Sequence, residues 1–320
     1  MKIRSKITAT GSYLPEKFLT NFDLEKTVET TNDWIVERTG INKRHIAADN
    51  QLTSDIAFEA VKNLLKTTKI KPEEIEMIIV ATTTPDLTFP ACATTLQAKI
   101  GANNAFAFDI QAVCSGFVFA LNCANNFIQT NQVKNALVIG ADILSRIVNW
   151  KDRNTCVLFG DGAGAVLLEA TTNQNSGILS CDLHSDGNLN SILKTSGGVA
   201  FNKEAGIIEM SGREVFKHAV DKMSKSVIAA LKKADLAISD IDLLVPHQAN
   251  LRILDAVANR LNLSEDKLII TVQDHANTSA ASIPLALDFA NKNNKIKEGD
   301  VVVLEALGGG LTWGSIVLKW

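Results

Sequence analysis

The sequence predicts a mixed α/β fold built from two related units, and three observations carry that prediction. Apolar runs of strand length alternate with longer helical stretches along the 320 residues. Two of the strand-like segments recur at nearly one spacing. Hydrophobic residues make up 46% of the chain against 21% charged, enough for a large buried core.

The strand-like runs are 75–80, 105–110, 136–139 and 163–168, then 243–245, 268–271, 301–304 and 315–318. Helical stretches cover 53–66, 93–99, 213–234, 249–260 and 283–291. Apolar strands separated by helices point to largely parallel strands covered on both faces. The opening MKIRSKI (1–7) lacks the apolar core of a signal peptide and reads as a first strand.

The recurrence is between EIEMIIV (74–80) and DIDLLVP (240–246), an offset of 166 (241 minus 75). NALVIG (135–140) likewise matches DVVVLE (300–305), an offset of 165 (300 minus 135). An acid before an apolar strand is common in α/β proteins, yet the shared offset favours a duplicated unit, expected as 1–172 and 173–320. Cys114 then falls opposite Ala280, so two equivalent helix starts would meet at one site.

Composition excludes several classes. A net charge of −3 with no arginine-rich run speaks against nucleic-acid binding. Nothing approaches the ~18 consecutive apolar residues of a membrane-spanning helix. The five cysteines, at 92, 114, 123, 156 and 181, form no CxxC pair. Disulfide frameworks and zinc sites are therefore not expected, and a reducing cytoplasm fits.

Reactive chemistry concentrates at three strand ends. In DIQAVCSGF (109–117) the lone Cys114 follows one apolar run and opens another of helical length, 117–128. A thiol at the first turn of a buried helix meets the positive end of the helix dipole, which favours the nucleophilic thiolate. PHQAN (246–250) follows 243–245, so His247 stands where open α/β sheets bind ligands. HANTSAAS (275–282) follows 268–272 and offers the amide of Asn277 as a donor. Taken singly, each is more simply a buried cysteine or a satisfied turn residue; the set of three gives the signal.

Two glycine-rich stretches read differently. GDGAGA (160–165) leads into a strand, so it lacks phosphate-loop geometry and reads as a tight turn with close packing. GGGLTWG (308–314) follows 301–304, and its main-chain N–H groups suit an oxyanion, with a simple hairpin as the alternative.

Together, DIQAVCSGF, PHQAN, HANTSAAS and GGGLTWG resemble β-ketoacyl-acyl carrier protein synthase III, the condensing enzymes that start bacterial type II fatty-acid synthesis. The resemblance runs from TGSYLP (10–15) to Trp320. It implies a thiolase-like fold, a duplicated α/β unit in α-β-α-β-α layers with the active site between the halves, and a homodimer. It also implies that Cys114 takes the acyl group of an acyl-CoA primer, acetyl or another short chain. His247 and Asn277 would stabilise the enolate formed as malonyl-acyl carrier protein loses CO2, giving 3-oxoacyl-acyl carrier protein. The main-chain N–H groups of Cys114 and Gly309 would form the oxyanion hole. No cofactor or metal is implied, because both thioesters are substrates.

The same resemblance assigns outer residues. TNDWIVERTG (31–40) sets Trp34 and Arg38 about the adenine of coenzyme A, Arg153 in DRNT (152–155) lies near the nucleotide, and Asn250 contacts the pantetheine arm. Phe89, in DLTFP (86–90), matches a residue that closes the partner's acyl pocket across the dimer. Lys217, Arg252 and Arg260 match the docking surface for the acidic carrier protein. On physical grounds Trp34 reads equally as core, Arg38 as a surface charge and the docking residues as a solvated helix face. Two positions depart from the family pattern. Ala276 stands where Gly commonly precedes the asparagine, and its β-carbon disfavours positive φ. Val113 replaces a common Ala and narrows the site.

The alternatives are a same-fold condensing enzyme using a longer starter in secondary metabolism, a thiolase, and a non-catalytic carrier-protein-binding paralogue. Thiolases use a second cysteine near the C-terminus, and 308–314 has none. Intact Cys114, His247 and Asn277 argue against the paralogue.

Overall fold

A computed structural model describes residues 3–320, so Met1 and Lys2 of the expected first strand lie outside the described residues. One five-stranded sheet holds β1 (Arg4–Tyr13), β2 (Met77–Ala81), β3 (Phe106–Ile110), β4 (Asn135–Ile143) and β5 (Asp161–Thr171), with β5 and β4 between β1 and β2, and β3 at the edge. A four-stranded sheet holds β6 (Gly177–Ser185), β7 (Leu243–Pro246), β8 (Val301–Gly308) and β9 (Thr312–Lys319), running from β7 through β8 and β9 to β6.

Both sheets are mixed, which corrects the expectation of largely parallel strands. β2 is parallel to β3 and β4, but β5 is antiparallel to β4 and β1. β7 is parallel to β8, while β9 is antiparallel to β8 and β6. The short turn 309–311 forces the reversal between β8 and β9, since only antiparallel neighbours can be joined so tightly. The series β2, β4, β5, β1 thus has the same order and sense as β7, β8, β9, β6.

The expected strand at 268–271 is absent as a strand. It pairs through Leu244 and Leu268 alone. The buried Gln248 side chain takes over the remaining hydrogen bonds: Oε1 accepts from the Thr271 and Val272 N–H groups at 2.7 and 3.1 Å, and Nε2 donates to the Ile269 carbonyl at 3.0 Å.

The helices used below are α1 (Asn32–Thr39), α2 (Thr53–Leu65), α3 (Cys92–Ile100), α4 (Gly116–Gln129), α5 (Gly212–Lys233), α6 (Leu251–Arg260) and α7 (Ser282–Lys292). α4 and α7 fill the space between the sheets, where Phe117, Leu121 and Leu287 meet Met77 and Leu304. Full burial of a side chain such as Phe117 contributes roughly 1.5–3 kcal/mol. α2 and α3 cover the outer face of the first sheet through Ile56, Leu64 and Leu96. α5 and α6 cover the outer face of the second through Met223, Leu231 and Leu254. The result is the layered α-β-α-β-α arrangement. No helix among the described residues is long and apolar enough to cross a membrane.

GDGAGA is not a turn: its last five residues begin β5. The close packing is real, because a β-carbon on Gly164 would lie 2.6 Å from the Leu285 nitrogen at the start of α7. Two short 3-10 turns, Val113–Ser115 and Ser279–Ala281, lead into α4 and α7 in equivalent places. Each opens on a residue of positive φ, 49° at Val113 and 52° at Ser279.

Candidate active site

The ends of β3, β7 and β8 and the starts of α4 and α7 converge on one cavity of about 1030 Å³. Cys114, His247, Asn277 and Gly309 all line it. Cys114 is only 6% exposed. Burial pushes its thiol up to about 12, the nearby Asp142 carboxylate pushes the same way, and the Ser279 hydroxyl pulls it down. The expected thiolate at rest is therefore corrected. A helix dipole contributes roughly 0.3–1 kcal/mol at exposed sites, too little to offset the loss of water around a buried thiolate.

Gly308 makes the site possible. A β-carbon there would lie 2.7 Å from the Cys114 nitrogen and 3.0 Å from the Ala112 oxygen, so only glycine lets β8 pass against the nucleophile turn. Val113 also lines the cavity, and its β-branched side chain sits in the left-handed region that such residues rarely enter.

His247 follows β7 and is 2% exposed. Its backbone N–H donates to the Glu305 carbonyl at 2.7 Å, and burial pushes its imidazole down to about 3. The ring is neutral across the physiological range. Ser282, at the start of α7, meets Nδ1.

Asn277 is clamped by sheet-like bonds. Its N–H donates to the Leu158 carbonyl at 2.9 Å, and its own carbonyl accepts from the Gly160 N–H at 3.0 Å. Its side-chain Oδ1 accepts from the Ser279 N–H at 3.0 Å, which leaves the Nδ2 donors for the cavity. Ala276 reaches this position with φ 58° and ψ −163°, a region otherwise held almost entirely by glycine. The β-carbon at this position is thus held in a strained backbone conformation.

The outer cavity gathers Trp34, Arg38, Arg153, Asn250 and Arg252. The Arg38 and Arg153 guanidinium carbons lie 4.9 and 5.1 Å from the Trp34 ring centroid. Asn250 caps α6, accepting from the Arg252 N–H at 2.9 Å, and donates to the Arg38 carbonyl at 3.0 Å. Its amide therefore ties α6 to α1 as well as facing the cavity. Lys217 on α5 and Arg260 on α6 are exposed and outside the cavity lining, and Arg260 is paired with Asp221 at 2.7 Å. Phe89 also lies outside it, 81% exposed.

Sequence reasoning gave no role to four residues at the site. Asp142, at the end of β4, is fully buried and accepts from the Thr83 N–H at 2.7 Å and the Ala280 N–H at 3.2 Å. Ser279 is buried beside it with a hydroxyl that makes no hydrogen bond of ordinary geometry. Ser282 and Thr312 contact the machinery from other elements. The one usable signal was the offset of 166, which puts Val113–Ser115 over Ser279–Ala281 (279 minus 113).

A layered thiolase fold with a cysteine at a helix start between the two sheets defines a condensing enzyme, an acyltransferase. Family models for 3-oxoacyl-[acyl-carrier-protein (ACP)] synthase III match residues 108–187, and for its C-terminal part residues 231–320. The β-ketoacyl-[acyl-carrier-protein] synthase III of Ehrlichia canis (strain Jake) is 57% identical over 316 residues, 99% of each chain. The crystal structure of 3-oxoacyl-[acyl-carrier-protein] synthase III from Aquifex aeolicus VF5 superposes with TM-score 0.94 at 45% identity, covering 99% of this chain and 100% of that one. The priming β-ketosynthase of the R1128 polyketide pathway superposes with TM-score 0.94 at 30% identity, over 99% and 97%. The chain belongs to the 3-oxoacyl-[acyl-carrier-protein] synthase III family, whose condensation initiates fatty-acid biosynthesis.

Proposed function

We propose that this chain condenses a short acyl-CoA primer with malonyl-acyl carrier protein, using Cys114, His247 and Asn277. The observation that carries the reading is their convergence, with Gly309, on one cavity whose outer part holds Trp34, Arg38 and Arg153. Cys114 Sγ attacks the primer's thioester carbon, and coenzyme A leaves as the thiol, taking up the proton the cysteine gives up. The Cys114 and Gly309 N–H groups hold the oxyanion, where preorganised donors are worth most.

Malonyl-acyl carrier protein then enters. Breaking the C–CO2 bond leaves its electron pair in an enolate whose oxygen accepts from neutral His247 and from Asn277 Nδ2. The enolate carbon attacks the acyl-Cys114 carbonyl, the acyl C–S bond breaks as the new C–C bond forms, and the departing sulfur takes a proton from solvent water. Both partners are thioester substrates, and no cofactor enters any step. Arg252 at the cavity, with Lys217 and the ion-paired Arg260 exposed on α5 and α6, supplies positive charge for the acidic carrier protein.

The two halves, 1–172 and 173–320, each contribute one wall of the site. A homodimer in the cytoplasm completes the reading. The dimer is supported by the exposed apolar side chains Phe89 and Leu87, 81% and 60% exposed, and by Phe106, 44% exposed on the edge strand β3.

The test is intact-protein mass spectrometry after mixing with a panel of acyl-CoA thioesters without carrier protein. One acyl adduct, lost in Cys114→Ser, is expected, and the chain loaded fastest names the primer class. No adduct from any short or branched chain would refute the reading.

A further inference from the structure

We propose that Thr312 is a positioning residue for the oxyanion hole, fastening the glycine turn to the nucleophile turn; the inference rests on the active-site reading above. Two hydroxyls bridge the segments. Ser115 Oγ lies 2.9 Å from Thr312 Oγ1 and 2.8 Å from the Ala112 carbonyl. Thr312 Oγ1 lies 3.0 Å from the Ala112 carbonyl and 3.1 Å from the Gly309 carbonyl.

Each hydroxyl has one proton, so only two of these four contacts are hydrogen bonds at a time. Ser115 donating to Thr312, and Thr312 donating to Gly309, makes one continuous chain from the start of α4 to the glycine turn. The Ala112 carbonyl keeps its bond from the Ser115 N–H at 3.1 Å. Ser115 is wholly buried, so its end of the chain is shielded from competition with water, while Thr312 is half-buried at the cavity wall.

The need for such a fastening follows from where the two N–H groups come from. The Cys114 donor belongs to the turn after β3, in the first sheet, and the Gly309 donor to the turn after β8, in the second. Among the described residues no backbone hydrogen bond joins the Cys114 turn to the Gly309 turn; Gly308 merely permits their approach. Thr312 contacts carbonyls on both sides of that gap. An oxyanion hole works only when both donors point at one oxygen, and a misplacement of about 1 Å costs on the order of 100-fold in rate.

The reading separates Thr312 from His247 and Asn277. The oxyanion forms in acyl transfer, whereas the loss of CO2 from malonyl-acyl carrier protein draws on the enolate donors. In Thr312→Val, which keeps the shape and removes the hydroxyl, the rate of acylation by acyl-CoA should fall roughly 10- to 100-fold. KM for the primer should change little, and primer-independent CO2 release should stay within about twofold of wild type. Thr312→Ser should restore most of the acylation rate. Ser115→Ala should slow acylation too, and the double variant should be no slower than Thr312→Val alone, because both break one chain.

Unchanged acylation in Thr312→Val would overturn the inference. Equal loss of acylation and CO2 release would also overturn it, by making Thr312 a general packing residue. Wild-type protein that takes up no acyl group would instead refute the active-site reading itself.

Discussion

The hydroxyl of Ser282 stands 2.6 Å from Nδ1 of His247 and also accepts the Gln248 N–H at 3.3 Å, and we assign its single proton to the ring nitrogen, the arrangement that leaves His247 an Nε2 donor for the cavity. Nδ1 is then an acceptor, and the imidazole proton sits on Nε2. A neutral imidazole with its N–H on Nε2 is the tautomer that donates to a developing enolate. Ser282→Ala should lower CO2 release from malonyl-acyl carrier protein by about 10- to 100-fold, the usual range for a partner that orients a functional histidine. Acylation of Cys114 by acyl-CoA should be nearly unchanged. Equal loss of both steps would show that Ser282 only supports the packing of α7.

Cys114 gives a pH signature. Burial holds its thiol at about 12, so the thiolate fraction grows tenfold per pH unit throughout the neutral range. Alkylation by iodoacetamide, followed by peptide mass spectrometry, should accelerate about tenfold per unit from pH 7 to pH 9 with no plateau. A plateau near pH 7 would mean that the dipole of α4 prevails over burial after all.

Ala276 gives a stability test. Its φ of 58° with ψ −163° costs about 1–3 kcal/mol for a residue with a β-carbon. Glycine removes that strain but adds about 0.5–1 kcal/mol of chain entropy to the unfolded state. Ala276→Gly should therefore stabilise the protein by about 1 kcal/mol in urea or guanidinium unfolding. A loss of stability would show that packing of the buried methyl outweighs the strain.

Much of the fold and site was legible for identifiable reasons. Cys114, His247 and Asn277 each follow a strand-like run, and strand ends are where these sheets open onto ligands. The offset between 75 and 241 anticipated the shared strand order, because the matched segments became β2 and β7. Strand direction was not legible, since an apolar run buried on both faces looks alike in either sense. The segment 268–271 has a strand's composition, but the amide of Gln248, twenty residues earlier, takes its hydrogen bonds. The state of Cys114 was misread because a dipole is visible from local sequence and burial is not. Ser282 is separated from His247 by 35 residues, and nothing near either one announces the pairing.

The matched turns before α4 and α7 have an effect that no single side chain carries. Both helices begin at the cavity, so the positive ends of two macrodipoles, each worth about half an elementary charge, face the same space. An anion forming there feels a field set by the backbone of both repeats. Substituting His247 or Asn277 leaves that field in place. The twofold scaffold thus provides a generic attraction for negative charge, and the side chains decide only on which atom of the substrate that charge comes to rest.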